Sequence, residues 1–333
     1  MNVTSDDQPG GAGGKPESAT APTLMDKLRL TPLPLFATVM GTGGLAMAWR
    51  RADDVLGTPA FIADALFWLA AVVYVALLIA YGVRISSRER LLADLRHPMK
   101  VTFLTAITVS LVILATSGRT VLPDAVAEGM WWVGAVGHIA GMLLTMRMWI
   151  HPRISLDHVT PAWFIPVVGN VLVPLAGVSF GNIGMSVFSF SVGIIMWLGV
   201  LPIVLLRLFT HQAMPPKFRP TVLILVAPPA VGSVAALSLF GDLDDPSLAG
   251  AALLSTAGAF LLLALTMLPE IIELPFTIPH WAMSFPLAAM AAATLLYSTV
   301  FGIFFLAIAS LVIAWLWGKT VNAIARGGIF VAE

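Results

Sequence analysis

Ten apolar stretches recur along this 333-residue chain, at about 33–50, 59–83, 99–118, 125–148, 161–180, 183–208, 219–240, 247–269, 279–297 and 299–318. Each is long enough to cross about 30 Å of hydrocarbon as a helix, and no Asp, Glu, Lys or Arg occupies the centre of any of them. Hydrocarbon offers no water to unpaired backbone groups, so only helices and closed barrels span it. The runs are continuous rather than alternating, which selects helices. Composition agrees: 58% of the residues are hydrophobic and 11% charged, where a soluble domain carries about a quarter charged. The fold class expected is all-α and integral to a membrane, with ten transmembrane helices.

The flanks differ from this core. Residues 1–28 are rich in Gly, Pro, Ser, Thr and Asp up to about residue 24, a composition unable to bury enough apolar surface to offset its ordering entropy. They read as a disordered tail, without the basic-then-apolar order of a signal peptide. Residues 29–320 form the membrane domain and 321–333 a short second tail. The absence of cysteine excludes disulfide frameworks, thiolate metal sites and cysteine nucleophiles. Eighteen basic residues balance eighteen acidic ones, which leaves no basic footprint for nucleic acid.

Orientation follows from where the basic residues fall. With both termini in the cytoplasm, the outer segments hold only Arg50, Arg51 and Arg119, three of the 18 basic residues. Fifteen remain inside, as the positive-inside rule requires, and an odd number of spans would misplace Lys319 and Arg326. The acidic run Asp242, Asp244 and Asp245 then lies in an outer loop.

The odd-numbered spans share an opening. Prolines stand at or near their cytoplasmic starts: Pro32 and Pro34, Pro98, Pro161, Pro220 and Pro279. Proline suits the first helical turn, where its missing N–H has no partner to lose. The unit is a helical hairpin repeated five times. Interior prolines at 166, 174, 228, 229 and 286 bend the odd spans and free carbonyls, tolerated in a membrane only beside protein or a wet cavity. Small or polar faces run along three of them: Ala37, Gly41, Gly44 and Ala48; Asn170, Pro174, Gly177 and Gly181; Ala282, Pro286, Ala289 and Ala293. Close helix packing explains a single such face. Five proline-marked helices favour a central conduit, with the bulkier even helices facing lipid; the Ala- and Gly-rich eighth span and Pro202 in the sixth run against that contrast.

Enzyme motifs are missing: the chain has no H-E-x-x-H, no P-loop, no G-x-S-x-G, and no facing pair of His or carboxylates at membrane depth. The expectation is a non-enzyme without metal or cofactor. His138, midway along the fourth span, is read either as a neutral residue bonded to a neighbouring helix or as a proton relay. Asn170, Thr102, Thr105, Thr108 and Ser284 offer weak dipoles to an ion or serve as helix glue. The basic residues Arg84, Arg88, Arg90, Arg96, Lys100, Arg153, Lys217 and Arg219 either concentrate anions at the cytoplasmic mouth or express topology alone. Phe285, in Trp281-Ala282-Met283-Ser284-Phe285-Pro286, puts a large ring beside a face trimmed to Ala. It is either core filler or a hydrophobic plug that blocks ions by refusing them water.

The segments Pro32-Leu33-Pro34-Leu35-Phe36 to Met40-Gly41-Thr42-Gly43-Gly44, Arg96-His97-Pro98, Thr160-Pro161-Ala162-Trp163-Phe164-Ile165-Pro166 with Asn170, Phe218-Arg219-Pro220 to Ala227-Pro228, and Trp281 to Pro286 resemble, in order, the tellurite-resistance/dicarboxylate transporter family. That family includes bacterial TehA, the slow-type anion channels of plant guard cells and fungal malate permeases, and the likeness covers residues of about 30–320. It implies five hairpins around a pore lined by the odd helices, usually in a homotrimer, with the ninth-helix phenylalanine as gate: Phe285 here. Phe103 matches a second pore aromatic, and Ala37 stands where the family has a glycine after Phe36. The pore-lining candidates are Phe103, Ala37, Gly41, Thr105, Asn170, Pro228 and Pro286, and the basic residues at the mouth are Arg96, Lys100 and Arg219. The expected function is passage of small inorganic or organic anions such as nitrate and chloride across the plasma membrane. The alternative is secondary transport of malate, another C4-dicarboxylate or tellurite with protons, in which His138 would take part.

Overall fold

The computed structural model describes residues 24–150, 155–241 and 247–328. Lys15, Arg153 and the acidic run Asp242, Asp244 and Asp245 lie outside them. No strand occurs among the described residues. A short helix α1, Leu24–Arg29, sits where the tail ends, and leads through a 3-10 turn at Leu33–Leu35 into α2, Phe36–Leu56. Then follow α3, Ala60–Arg84; α4, Arg88–Arg96; α5, Pro98–Ser117; and α6, Asp124–Ile150.

The next apolar run is broken. Its pieces are a 3-10 turn at Pro161–Trp163, α7 at Phe164–Val168, a second 3-10 turn at Gly169–Leu172, and α8 at Pro174–Gly177. The long helix α9 spans Ile183–Thr210. A 3-10 stretch at Pro216–Val226 continues into α10, Ala227–Phe240. It is followed by α11, Leu248–Thr266, and α12, Leu268–Ile272. A last 3-10 stretch, Ile278–Met283, enters α13, Ser284–Thr294, before α14, Thr299–Ala325, closes the series.

Among the described residues, seven helices are long and apolar enough to cross a membrane: Ala60–Arg84, Lys100–Ser117, Asp124–Ile150, Ile183–Thr210, Pro216–Phe240, Leu248–Thr266 and Thr299–Ala325. The other three runs of the ten take a different form, each for a local reason. The end of α2 carries Arg50, Arg51, Asp53 and Asp54, and Gly57, with φ of 68°, stops it in the left-handed conformation that glycine adopts freely. Run five is divided by Pro161, Pro166 and Pro174, each lacking the N–H a helix needs. Run nine begins as 3-10 at Pro279 and becomes α-helical only at Ser284. The tenth run extends beyond its sequence-read end at 318 to Ala325.

Burial divides these elements. In the most apolar stretch of Pro216–Phe240, 83% of residues are buried, and 61% in Lys100–Ser117, against 22–28% in α3, α6, α9, α11 and α14. The buried segments are α2, α5, Pro161–Gly177, Pro216–Phe240 and Ile278–Thr294. Each packs on the long helix that follows it, and together they close a circuit, from α2 to α5, to α7, through Gly169–Leu172 to α10, to α13 and back to α2. One helix pair shows how they fit. Gly134, Gly137 and Gly141, at i, i+3 and i+7 of α6, receive α5 side chains: a Cβ on Gly137 would meet Thr108 Cγ2 at 3.1 Å, and one on Gly141 would meet Thr105 Cγ2 at 2.9 Å.

One ion cluster joins the ends of three helices. Asp94 of α4, 4% exposed, lies 3.2 Å from Arg84 Nε at the end of α3 and 3.4 Å from Lys100 Nζ at the start of α5. Arg84 Nη1 also donates to the Thr31 carbonyl at 2.9 Å, so the approach to α2 is tied in. A charged hydrogen bond of this kind is worth about 1.5–3 kcal/mol. Asp94→Asn should therefore lower the thermal midpoint of the detergent-solubilised protein by a corresponding margin. An unchanged midpoint would show that Arg84 and Lys100 hold these ends together without it.

Candidate functional site

Among the described residues, three cavities lie between the five buried segments, and α3, α6, α9, α11 and α14 contribute to none of the three. The cavity at the proline ends, about 80 Å³, is lined by Pro34, Ala37, Met40, Phe103, Ala162, Ile165, Phe218, Ile224, Ala282 and Pro286 among others, with no charged residue. At the other end lies a cavity of about 140 Å³, lined by Arg50, Arg51, Asp54, Thr116, Ser117, Arg119, Leu172, Val231 and Ser238 among others. A small one of about 40 Å³ is lined by Met40, Val109, Val168, Gly169, Ile224 and Pro228 among others. One side chain borders all three: Phe285, 9% exposed.

The Phe285 ring rests against a bare stretch of backbone. A Cβ on Gly44 would stand 2.8 Å from Phe285 Cδ2, closer than carbon atoms approach, and 3.2 Å from Cε2, a tight contact. One turn earlier, Gly41 faces the Ser284 side chain, whose hydroxyl donates to the Trp281 carbonyl at 2.6 Å. The surrounding frame is held by three indole N–H groups. Trp281 donates to Thr320 of α14 at 2.8 Å, Trp317 of α14 donates to Thr42 of α2 at 3.0 Å, and Trp49 of α2 donates to Ser310 of α14 at 3.1 Å. The Trp281 and Trp317 rings meet edge to face, centroids 5.2 Å apart. Buried indoles need such partners, so α14 fixes both α2 and the segment that carries Phe285.

The residues singled out in the sequence separate into groups. Phe103, Ala37 and Pro286 line the proline-end cavity, Pro228 the small one, and Phe285 all three. Gly41, Thr105 and Asn170 line none of the three. Gly41 gives close approach to α13, and Thr105 bonds to the Thr102 carbonyl while filling the slot at Gly141. Asn170 Nδ2 bonds to the Val167 carbonyl at 3.2 Å and to Met142 Sδ at 3.2 Å. Its segment turns at 3-10 rather than α pitch from Gly169 to Leu172, so a face counted at 3.6 residues per turn loses register. Ala162, Ile165, Val168 and Leu172 face the cavities instead, while Gly177 accommodates Trp131.

His138 also stands apart from the cavities, with Nδ1 3.0 Å from the Thr108 hydroxyl and its ring filling the space left by Gly169. None of the described basic residues read at the mouth lines any of these three cavities. Lys100 pairs with Asp94, Arg219 Nη1 lies 2.8 Å from Glu270 Oε2, and Arg96 is exposed. The charged lining belongs to Arg50, Arg51, Asp54 and Arg119; the three arginines are those that the sequence puts in the outer segments, but their convergence on one cavity does not follow from it, with Arg51 and Arg119 68 positions apart. Met40, which the sequence does not mark as pore-lining, borders two of the cavities, one turn from both Ala37 and Gly44.

A model of the voltage-dependent anion channel family, SLAC1, matches residues 31–321. The chain belongs to that family. Its relatives include an uncharacterised transporter of Methanocaldococcus jannaschii, 27% identical over 325 residues, covering 89% of this chain and 94% of the relative. The S-type anion channel SLAH2 of Arabidopsis thaliana is 26% identical over 297 residues, 85% of this chain and 55% of that channel. The tellurite resistance protein TehA homolog of Haemophilus influenzae is 26% identical over 275 residues, 80% of this chain and 82% of the relative. The family resemblance read from the proline-led segments is thereby established, and the protein is an anion channel or transporter of the SLAC1 family.

The seat of Phe285 in this SLAC1-family protein is open to a double-mutant test. Overpacking at Gly44→Val should cost about 1–3 kcal/mol, and Phe285→Ala in the same chain should remove the clash. Unfolding of the two single variants and the double variant in mixed micelles should depart from additivity by about 1 kcal/mol or more. Additive effects would show that ring and glycine do not touch.

Proposed function

We propose that the protein conducts small monovalent anions along the axis of the five-segment circuit, with Phe285 as the gate. The observation that carries this reading is that Phe285 alone borders the cavities at both ends and the small one between the same segments. An anion moving between the ends has to pass its ring. The arrangement is ten membrane crossings as five hairpins in the plasma membrane, both termini cytoplasmic, with α2, α5, Pro161–Gly177, Pro216–Phe240 and Ile278–Thr294 as the inner ring. The burial contrast between that ring and the long helices outside it supports this, as does the family's kinship with S-type anion channels. Three such subunits form a homotrimer with one pore each.

An apolar constriction excludes ions by denying them water, so Phe285 closes the path until its ring swings away from Gly44. Ala37, Phe103, Pro228 and Pro286 line the remaining path. Its proline-end wall holds no charge, and selectivity there follows dehydration cost, with nitrate passing more readily than chloride. A proton-coupled dicarboxylate carrier fits the site less well. It would need a guanidinium fork or a titrating group at the constriction itself, and the small cavity beside Phe285 is lined by neither, while His138 sits outside the cavities, bonded to Thr108.

Phe285→Ala should raise anion current across planar bilayers roughly tenfold or more, equivalent to removing at least ~1.4 kcal/mol of barrier, with the nitrate-over-chloride order kept. Wild-type-sized currents in the variant would remove Phe285 from the gate.

A further inference from the structure

On the topology just proposed, Arg50, Arg51 and Arg119 are the only three of 18 basic residues on the outer side. The positive-inside rule explains the other fifteen and disfavours these. All three converge on one cavity, next to Phe285. Pairing accounts for two of them in part: Arg50 contacts Asp64 and lies 3.9 Å from Asp53, and Arg51 lies 3.7 Å from Asp54. Arg119 has no carboxylate within 4.0 Å among the described residues. Its Nη1 donates to the Ser179 hydroxyl at 2.8 Å, and its guanidinium lies 5.6 Å from the centre of the Phe180 ring. Neither contact supplies a counter-charge; Arg119 itself is exposed, and the one carboxylate in the cavity lining, Asp54, is paired with Arg51.

The donors left over belong to guanidinium groups. Arg50 Nε is buried without a hydrogen-bond partner among the described residues. The hydroxyls in the wall donate backwards into their own helices, Thr116 to the Val112 carbonyl at 2.8 Å, Ser117 to that of Ile113 at 2.9 Å and Ser238 to that of Val234 at 3.0 Å. They have no hydrogen to offer an anion, whereas a guanidinium presents paired N–H groups suited to two oxygens at once.

We propose that this cavity is an external binding site for a small oxyanion of the nitrate class, held chiefly by Arg119 with Arg50 behind it. The site loads the path from outside, one step before Phe285. It rests on the conduction reading for its role and on geometry for its ligand.

The test uses full-length protein in bilayers, with nitrate varied on one side at a time at constant ionic strength. Arg119→Gln should raise the half-saturating nitrate concentration several-fold on the arginine side and leave it unchanged on the other. Arg119→Lys, which keeps the charge but not the fork, should recover part of the effect. A shift equal on both sides, or none, overturns the site. A second readout needs no conduction: nitrate should raise the thermal midpoint of purified wild-type protein and fail to do so for Arg119→Gln. Stabilisation that persists in the Gln variant also overturns it. If no variant passes current yet nitrate stabilises through Arg119, conduction fails and the site stands. If currents flow but ignore Arg119 in both readouts, the site fails and conduction stands.

Discussion

An interrupted helix in hydrocarbon leaves carbonyls without N–H partners, and such a segment is tolerable only when protein or a cavity surrounds it. Pro161–Gly177, Pro216–Phe240 and Ile278–Thr294 are interrupted in this way by 3-10 stretches and prolines. They cannot occupy the perimeter. The continuous helices α3, α6, α11 and α14 satisfy their mid-helix backbone groups internally and can sit outside the ring, where 22–28% burial leaves them; α9, equally little buried, does so despite an interior proline at Pro202 that leaves one carbonyl without its N–H partner. The broken segments crowd inward, and segments that cannot pack as straight rods leave gaps. The three cavities lie along those gaps, so the prolines that forbid a lipid face also produce the space within.

Such gaps need walls that do not drift. Side-chain entropy and apolar packing in a membrane interior give little directional hold, because lipid is as apolar as the core. Direction comes from a few polar contacts. Trp281, Trp317 and Trp49 each place an indole N–H on a hydroxyl across a helix boundary, and all three bonds involve α14. The Phe285 ring therefore sits on a segment referenced to an outer helix, while the surface it touches is Gly44 on a helix referenced to the same one. A ring that must rest at van der Waals distance from backbone tolerates little error in either.

Fold class and the order of segments were legible because they depend on long averages: an apolar run of eighteen residues or a proline every second span survives local irregularity. Which side of a segment faces the centre depends on pitch, and there the sequence misleads. Ala37 and Gly44 line cavities as a 3.6-residue count suggests, since α2 is regular from Phe36. Asn170, Pro174 and Gly177 do not, since the pitch changes at Gly169. Small residues were ambiguous for a second reason. Gly41 and Gly44 are one turn apart on one face, yet one admits Ser284 and the other Phe285, and no property of glycine in a sequence says what will fill the space it leaves. Charge was not legible as site, because pairing decides whether a cation acts on its surroundings.

That pairing separates the two ends of the molecule. At the proline end, Lys100 and Arg84 are committed to Asp94 and Arg219 to Glu270, so cations abundant in sequence hold helix ends together and leave the cavity wall neutral. A neutral wall stabilises no ion, and it also retains none; what it demands of an anion is the surrender of water, a cost that falls as charge density falls. A fixed guanidinium at the constriction would reverse that balance, binding the most charge-dense anion tightly and releasing it slowly. In the site proposed above, a cation lining the roomier end cavity rather than the narrowest point would gather anions without trapping them where they must move.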